Sequence, residues 1–179
     1  MNSLATKNLI FLDESGANLS FCREYARAMG GERIKYPCPY RRGNKYSVIG
    51  AVSVSGVEAA IYGEWSTDGE IFLEFVNKQL VPRLDESKVV IMDNVSFHKV
   101  AGVKEAIEAT GAQLIFLPPY SPDLSPIENM WSKVKSVIKK FAPRTKPQFR
   151  RVIQKAFMAV EQQDLISWFG HCGYALSNI

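Results

Sequence analysis

Two short runs constrain this chain more than anything else in it: Asn8-Leu-Ile-Phe-Leu-Asp13 and Lys88-Val-Val-Ile-Met-Asp93. Each is a brief, intensely apolar stretch closed by an aspartate, the pattern of a strand buried on both faces. In α/β sheets the crevice that holds ligands opens outside the strand ends, and both acids fall there. Either aspartate alone reads equally well as a turn or helix-cap residue. Brought together at buried strand ends they would repel each other unless protonated or neutralised. Hard divalent cations with oxygen ligands, Mg2+ or Mn2+, suit such a pair.

The remaining sequence supplies partners for those strands. Tyr46, Val48, Gly50, Val52 and Val54 alternate with Ser47, Ile49, Ala51 and Ser53. Ser55-Gly56 makes a tight turn, and Val57, Ala59 and Ile61 begin the return, so 45–63 is expected to be a β-hairpin. Thr67-Asp-Gly-Glu70 has the form of a capping box and opens a helix with Ile71, Phe72, Phe75, Val76 and Leu80 as its stripe, ended by Pro82. His98 to Thr110 reads as a helix stopped by Gly111, and Ala112 to Leu117 as a strand cut off by Pro118-Pro119. Ser125-Pro126 starts a further helix, with Ile127, Met130, Trp131, Val134, Val137, Ile138 and Phe141 on its apolar face. A last helical stretch covers roughly 148–162. Residues 17–45 lack such periodicity and read as a long basic connection that starts where Asp13-Glu-Ser-Gly ends the first strand. A hairpin on one side and β-α-β alternation on the other predict an α/β fold, a mixed sheet flanked by helices, in a single domain over 1–179.

No apolar run approaches the ~20 residues of a membrane span. The N-terminus has no basic region followed by an apolar core, so a cytoplasmic protein is expected. Cys22, Cys38 and Cys172 are scattered without a C-x-x-C pair and are read as reduced thiols, neither a disulfide framework nor a zinc site. The net charge of +4 hides a division. Residues 1–128 carry 13 Lys and Arg against 16 Asp and Glu, whereas 129–160 carry nine basic side chains and no acid. That block is either a footprint for a polyanion or a solvated helical face.

Glu128 has two competing roles. Ser125-Pro-Ile-Glu128 is a capping box, in which the glutamate reaches back to the N-cap amide. Residues 128, 132, 135 and 139 also share one helical face, which sets Glu128 in line with Ser132, Lys135 and Lys139.

Three stretches carry a resemblance: Phe11-Leu-Asp-Glu-Ser-Gly16, Ile91-Met-Asp-Asn-Val-Ser-Phe-His98, and Leu117-Pro-Pro-Tyr-Ser-Pro-Asp-Leu-Ser-Pro-Ile-Glu-Asn-Met-Trp-Ser-Lys133. They resemble the DDE transposases of the mariner-like superfamily, most closely the bacterial insertion-sequence branch. The 34 residues between Asp93 and Glu128 are similar to that family's spacing. The resemblance implies a ribonuclease-H-like fold in which Asp13, Asp93 and Glu128 are the catalytic carboxylates. They would hold two Mg2+ ions, with Mn2+ able to substitute, for DNA cleavage and 3′-hydroxyl strand transfer in cut-and-paste transposition. It places Asn94 and His98 beside the second acid, where His98 contacts DNA or steadies the site, and sets the Tyr120 loop near the DNA. Lys133, Lys135, Lys139 and Lys140 become candidate phosphate contacts, together with Arg41 and Arg42 of the basic connection. Asp123 is a rival third acid, and Trp131 reads as core.

The implied partners are double-stranded DNA at transposon ends and target, and a second copy of the chain in the assembled complex. No membrane and no small-molecule cofactor are expected, and association with the nucleoid would follow from DNA binding. Members of the family usually carry N-terminal helix-turn-helix domains, whereas this chain starts a dozen residues before Asp13, so recognition of specific ends is not expected of it. The alternative is a truncated, non-catalytic transposase that binds DNA or a full-length partner.

Overall fold

The computed structural model describes residues 5–23, 25–40, 43–95, 98 and 100–174. Among them five strands, β1 (Leu9–Asn18), β2 (Lys45–Ser53), β3 (Gly56–Gly63), β4 (Val89–Met92) and β5 (Gln113–Phe116), form one sheet in the order β3-β2-β1-β4-β5. The hairpin pairs antiparallel, and β1, β4 and β5 run parallel. The helices are α1 (Gly69–Phe75), α2 (Val103–Glu108), α3 (Pro126–Phe141), α4 (Lys146–Met158) and α5 (Gln162–His171).

Strand periodicity sends alternate side chains to opposite faces, and here both faces are covered. Leu9 and Phe11 of β1 and Val89 and Ile91 of β4 pack into a core with Ile127, Trp131 and Ile138 of α3, Phe149 of α4 and Phe169 of α5. Their neighbours Ile10, Leu12, Val90 and Met92 pack the other way, against Phe72 and Phe75 of α1 and Val103 and Ile107 of α2. This two-sided burial is why the two founding runs are apolar without alternation.

Several boundaries differ from the sequence expectation. β1 does not stop at Asp13: it continues to Asn18 because Asp13–Asn18 stay paired with Gly50–Lys45 of β2. Asp68, not Thr67, caps α1 by accepting from the Ile71 N–H at 3.0 Å. Beyond α1 a π-helical turn, Val76–Leu80, leads into a 3-10 turn, Val81–Arg83, that contains Pro82. α2 begins at Val103 instead of His98, since Gly102 sits at φ +96° and breaks the helical path before it. The last helical region is two helices, α4 and α5, the second capped by the Asp164 carboxylate on the Glu161 N–H at 2.8 Å. Cys22 and Cys38 are joined in a disulfide, correcting the expectation of thiols, while Cys172 is a buried thiol. The pairing lies wholly inside the 19–44 connection, where no periodicity could bring the two cysteines together in advance. No helix is long and apolar enough to cross a membrane.

Gly50 sets how closely α3 approaches the sheet. It lies opposite Asp13 in the ladder, and a Cβ built on it would stand 2.8 Å from Trp131 Cη2 and 3.3 Å from Cζ2. Because the indole is buried and cannot swing away, Gly50→Ala is expected to cost about 1–3 kcal/mol, the usual penalty for overpacking a core. Denaturant unfolding checks this, and an unchanged midpoint would show that α3 has room to move.

Candidate active site

The ladder between β1 and β4 ends at the pair Leu12 and Met92, so the next residues, Asp13 and Asp93, stand at a fork between two diverging strands. Asp13 follows the alternation of Leu9 and Phe11 and faces α3. Beside Asp93, the Leu117 N–H donates to the Met92 carbonyl at 2.9 Å and holds the exit of β5 against β4. Ser125-Pro126 then opens α3 directly over these strand ends, with proline at the first helical position. A cleft of about 380 Å³ results, lined by Asp13, Asp93, Asn94, Tyr120, Ser125 and Glu128 among others. Three acids from three separate segments thus share one crevice at the carboxyl ends of the parallel strands.

The two roles weighed for Glu128 separate here. Ser125 makes no side-chain capping bond, and the Glu128 N–H is satisfied by the Ser125 carbonyl at 3.1 Å. The Glu128 side chain is exposed and lines the cleft. Asp123 lies in the 3-10 turn Pro122–Leu124, where its charge helps raise the pKa of Cys172, and does not line the cleft.

Trp131, expected as core, is 2% exposed and also polar in effect: its indole N–H donates to Asp13 Oδ2 at 3.0 Å. The bond spans from the helix that carries Glu128 to the strand that carries Asp13. Burial, followed by the charge of Glu14 and that of Glu128, pushes the Asp13 carboxyl up to about 7, against the pull of the Trp131 bond.

His98 does not line the cleft. It is 1% exposed, stacks near Phe72 with ring centroids 4.4 Å apart, and meets a carboxylate at each nitrogen. Nδ1 lies 2.6 Å from Asp93 Oδ1 and Nε2 lies 3.0 Å from Glu14 Oε2. Burial works to lower its pKa, but the bond to Glu14 and the charges of Glu14 and Asp93 outweigh it and the net shift is upward. At 1% exposure the ring offers DNA no surface, and it stands between the two carboxylates, against Asp93. Glu14, the other end of that brace, was missed in the sequence because it follows Asp13 and points to the opposite face. Asp13, Glu14 and His98 form a tight group, with potential ligand atoms within 4.8 Å of one another. Both nitrogens of the His98 ring already face carboxylates, so a cation in this group would have to displace one of those contacts.

Asn94 is exposed on the cleft wall, and Tyr120 is fully exposed at its rim with φ +58°, a left-handed conformation uncommon outside glycine. The four lysines divide. Lys133 turns to Asp164, with which it forms an ion pair, whereas Lys135, Lys139 and Lys140 line a separate groove along α3. Arg41 and Arg42 lie outside the described residues.

Residues 8–150 match the DDE superfamily endonuclease family. Among solved structures, the chain is similar to the Mos1 transposase paired-end complex with left transposon end, at 15% identity and TM-score 0.76, over 93% of this chain and 52% of that one. It is also similar to the Mos1 mariner paired end complex with Mn, at 14% identity and TM-score 0.71, over 93% and 52%. The catalytic domain of Mos1 mariner transposase matches at 13% identity and TM-score 0.67, over 93% and 77%. The likeness establishes a ribonuclease-H-like fold, and the chain spans about half the length of the transposase chains in those complexes. No curated protein matches the chain in sequence.

The raised Asp13 pKa carries a stability consequence. The ordinary value is 3.8 and the folded value about 7, so the native state holds this proton more tightly than the unfolded chain. That contribution is fully present below 3.8 and is lost as pH rises towards about 7. Asp13→Asn removes this titration, so in EDTA the variant should gain stability relative to wild type as pH rises from about 4 to about 7. Parallel curves for the two proteins over that range would contradict the burial argument.

Proposed function

This chain belongs to the DDE superfamily of endonucleases, and from that membership we propose that it is a transposase catalytic domain in which Asp13, Asp93 and Glu128 act together on DNA. The observation that carries the reading is the convergence of those three carboxylates on one open cleft, from two strand ends and a helix start. One sheet with helices on both faces supports treating the described residues as a single catalytic domain.

The donor set fits hard divalent cations. All three groups are carboxylates, and Asp13 is driven towards protonation by its burial and then by the charge of Glu14, a situation a bound cation relieves. Asp13, Asp93 and Glu128 would hold Mg2+ or Mn2+, and complexes of Mos1 with either metal support that choice. Bound there, a pair of such ions would supply Lewis acidity at the entering and leaving oxygens of an in-line displacement at phosphorus. The chain's own residues do the positioning. Trp131 fixes Asp13, the His98 ring braces Asp93, and α3 presents Glu128 from its first turn. Asn94, exposed on the wall, offers an amide donor to a phosphate oxygen, and the left-handed Tyr120 loop forms the rim over which a strand passes. The openness of the cleft to solvent lets water enter for cleavage and a DNA 3′-hydroxyl for strand transfer. The Mos1 paired-end complex with a transposon end supports DNA ends as substrate, on which two copies of this chain would assemble.

Nicking of supercoiled plasmid in Mn2+ tests this reading. Asp93→Ala should lose more than about 100-fold, because even the outer-shell partners of metal ligands are worth 10–100-fold. His98→Gln, acting through Asp93, should fall in that 10–100-fold range. Equal nicking by wild type and Asp93→Ala would remove Asp93 from the site, and a folded wild type that does not nick would favour a DNA-binding, non-catalytic chain.

A further inference from the structure

We propose that Cys22 and Cys38 form a thiol–disulfide exchange site, opened by low-molecular-weight thiols, that fastens and releases the connection between β1 and β2. Neither metal nor DNA takes part in the exchange.

The connection is fixed to the body of the fold near Cys22. Arg144, between α3 and α4, donates from Nη1 to the Leu19 and Phe21 carbonyls at 2.8 and 2.9 Å. Arg23 Nε donates to the Lys140 carbonyl at 3.2 Å. At the far end Asn44 donates to Glu64 at 2.6 Å. Between these anchors the surroundings change. The described residues from Tyr25 to Pro37 are all exposed, and none of them joins either core. With Arg23 and Cys38 they curl round an open hollow of about 1020 Å³, and Tyr25 and Met29 are 89% and 81% exposed. The disulfide, at a sequence separation of 16, is the covalent tie that closes this stretch. Because no core residue lies inside it, breaking the bond opens the stretch locally and leaves the fold intact.

The two sulfurs differ in a way that sets the direction of attack. Cys38 is exposed between Pro37 and Pro39, whereas Cys22 is half-buried with its Sγ 3.3 Å from Arg144 Nη2. The bonds from Nη1 to the two carbonyls hold that guanidinium in place. An incoming thiolate reaches the Cys38 sulfur. The S–S bond breaks, its electron pair leaves on Cys22, and Arg144 stabilises the negative charge there. A mixed disulfide remains on Cys38. A second thiolate attacks the outer sulfur of that mixed disulfide and releases Cys38, and two protons from water complete the dithiol. Two small thiols are thereby oxidised to one small disulfide, and the protein disulfide takes up the two electrons. In the dithiol the Ser20 carbonyl, 3.3 Å from Cys22 Sγ, accepts its S–H. A small disulfide drives the same steps in reverse. Cys172 is buried elsewhere and stays a thiol throughout.

Incubating the folded chain with reduced glutathione, alkylating with N-ethylmaleimide and mapping the peptides tests the site. Cys22 and Cys38 should be modified and Cys172 spared, with an unchanged circular dichroism spectrum, and oxidised glutathione should restore the bond. Quenching early should find glutathione on Cys38 and the alkyl group on Cys22. Limited trypsin digestion at Arg27, Arg33 and Lys35 should speed up by about tenfold or more on reduction, as a closed loop of this length is released. The double variant Cys22→Ser with Cys38→Ser should be cut at the reduced rate whatever the glutathione state. A pair that resists glutathione until the protein unfolds, cysteines that alkylate freely in oxidised glutathione, or a cutting rate indifferent to reduction overturns the proposal. Glutathione trapped on Cys22 overturns the role given to Arg144. A double variant that fails to fold, like a circular dichroism spectrum lost on reduction, makes the bond a structural one and overturns the switch.

Discussion

The hydrogen bond from the Trp131 indole to the Asp13 carboxylate ties the helical layer to the sheet at the point where the chemistry is proposed. Glu128 stands one helical turn before Trp131, so the bond relates two of the three acids through a rigid lever. Gly50 makes it possible, since any side chain there would occupy the volume of the ring. A residue whose type is explained by packing and a residue whose type is explained by chemistry are in this way the same tryptophan. A donor to a buried carboxylate is also worth more than its area in water, because the surrounding medium screens it poorly.

Around that bond the site concentrates like charge to a degree that folding alone would not favour. Asp13, Glu14, Asp93 and Glu128 crowd the ends of two strands, and one buried histidine, His98, stands between Asp93 and Glu14. His98 takes Asp93 on the cleft side and Glu14 on the α1 side, so it links the two cores through the sheet end. Asp13 is pushed towards neutrality by its burial and by the charge of Glu14. Local conflicts of this kind are expected at functional sites and are supported by consistency elsewhere. Here the consistency is the pair of well-packed cores on either side of β1 and β4.

Much of this was legible in the sequence. The apolar runs ending in Asp13 and Asp93, the 45–63 hairpin and the helix opened by Ser125-Pro126 all appear as expected, because short-range patterning determines them. What escaped depended on contacts between distant segments. β1 runs past Asp13 because β2 pairs with it there, and nothing local in Glu-Ser-Gly announces that. Glu14 and His98 are 84 residues apart, and their contact needs the sheet to exist first. Lys133 looked equivalent to Lys135, yet it turns to Asp164, and α5 itself went unnoticed behind a weaker stripe of Leu165 and Phe169. Pairing of Cys22 with Cys38 likewise depends on how a non-periodic connection folds.

The central claim is that the three cleft acids, and not the tighter group of Asp13, Glu14 and His98, form the cation site. Calorimetric titration of Mn2+ into the wild-type chain and into Glu128→Gln and Glu14→Gln tests it most directly. The account predicts saturable binding that weakens sharply in Glu128→Gln and far less in Glu14→Gln. Unchanged affinity in Glu128→Gln, with binding lost in Glu14→Gln, would move the cation to the other face of the sheet and contradict the account.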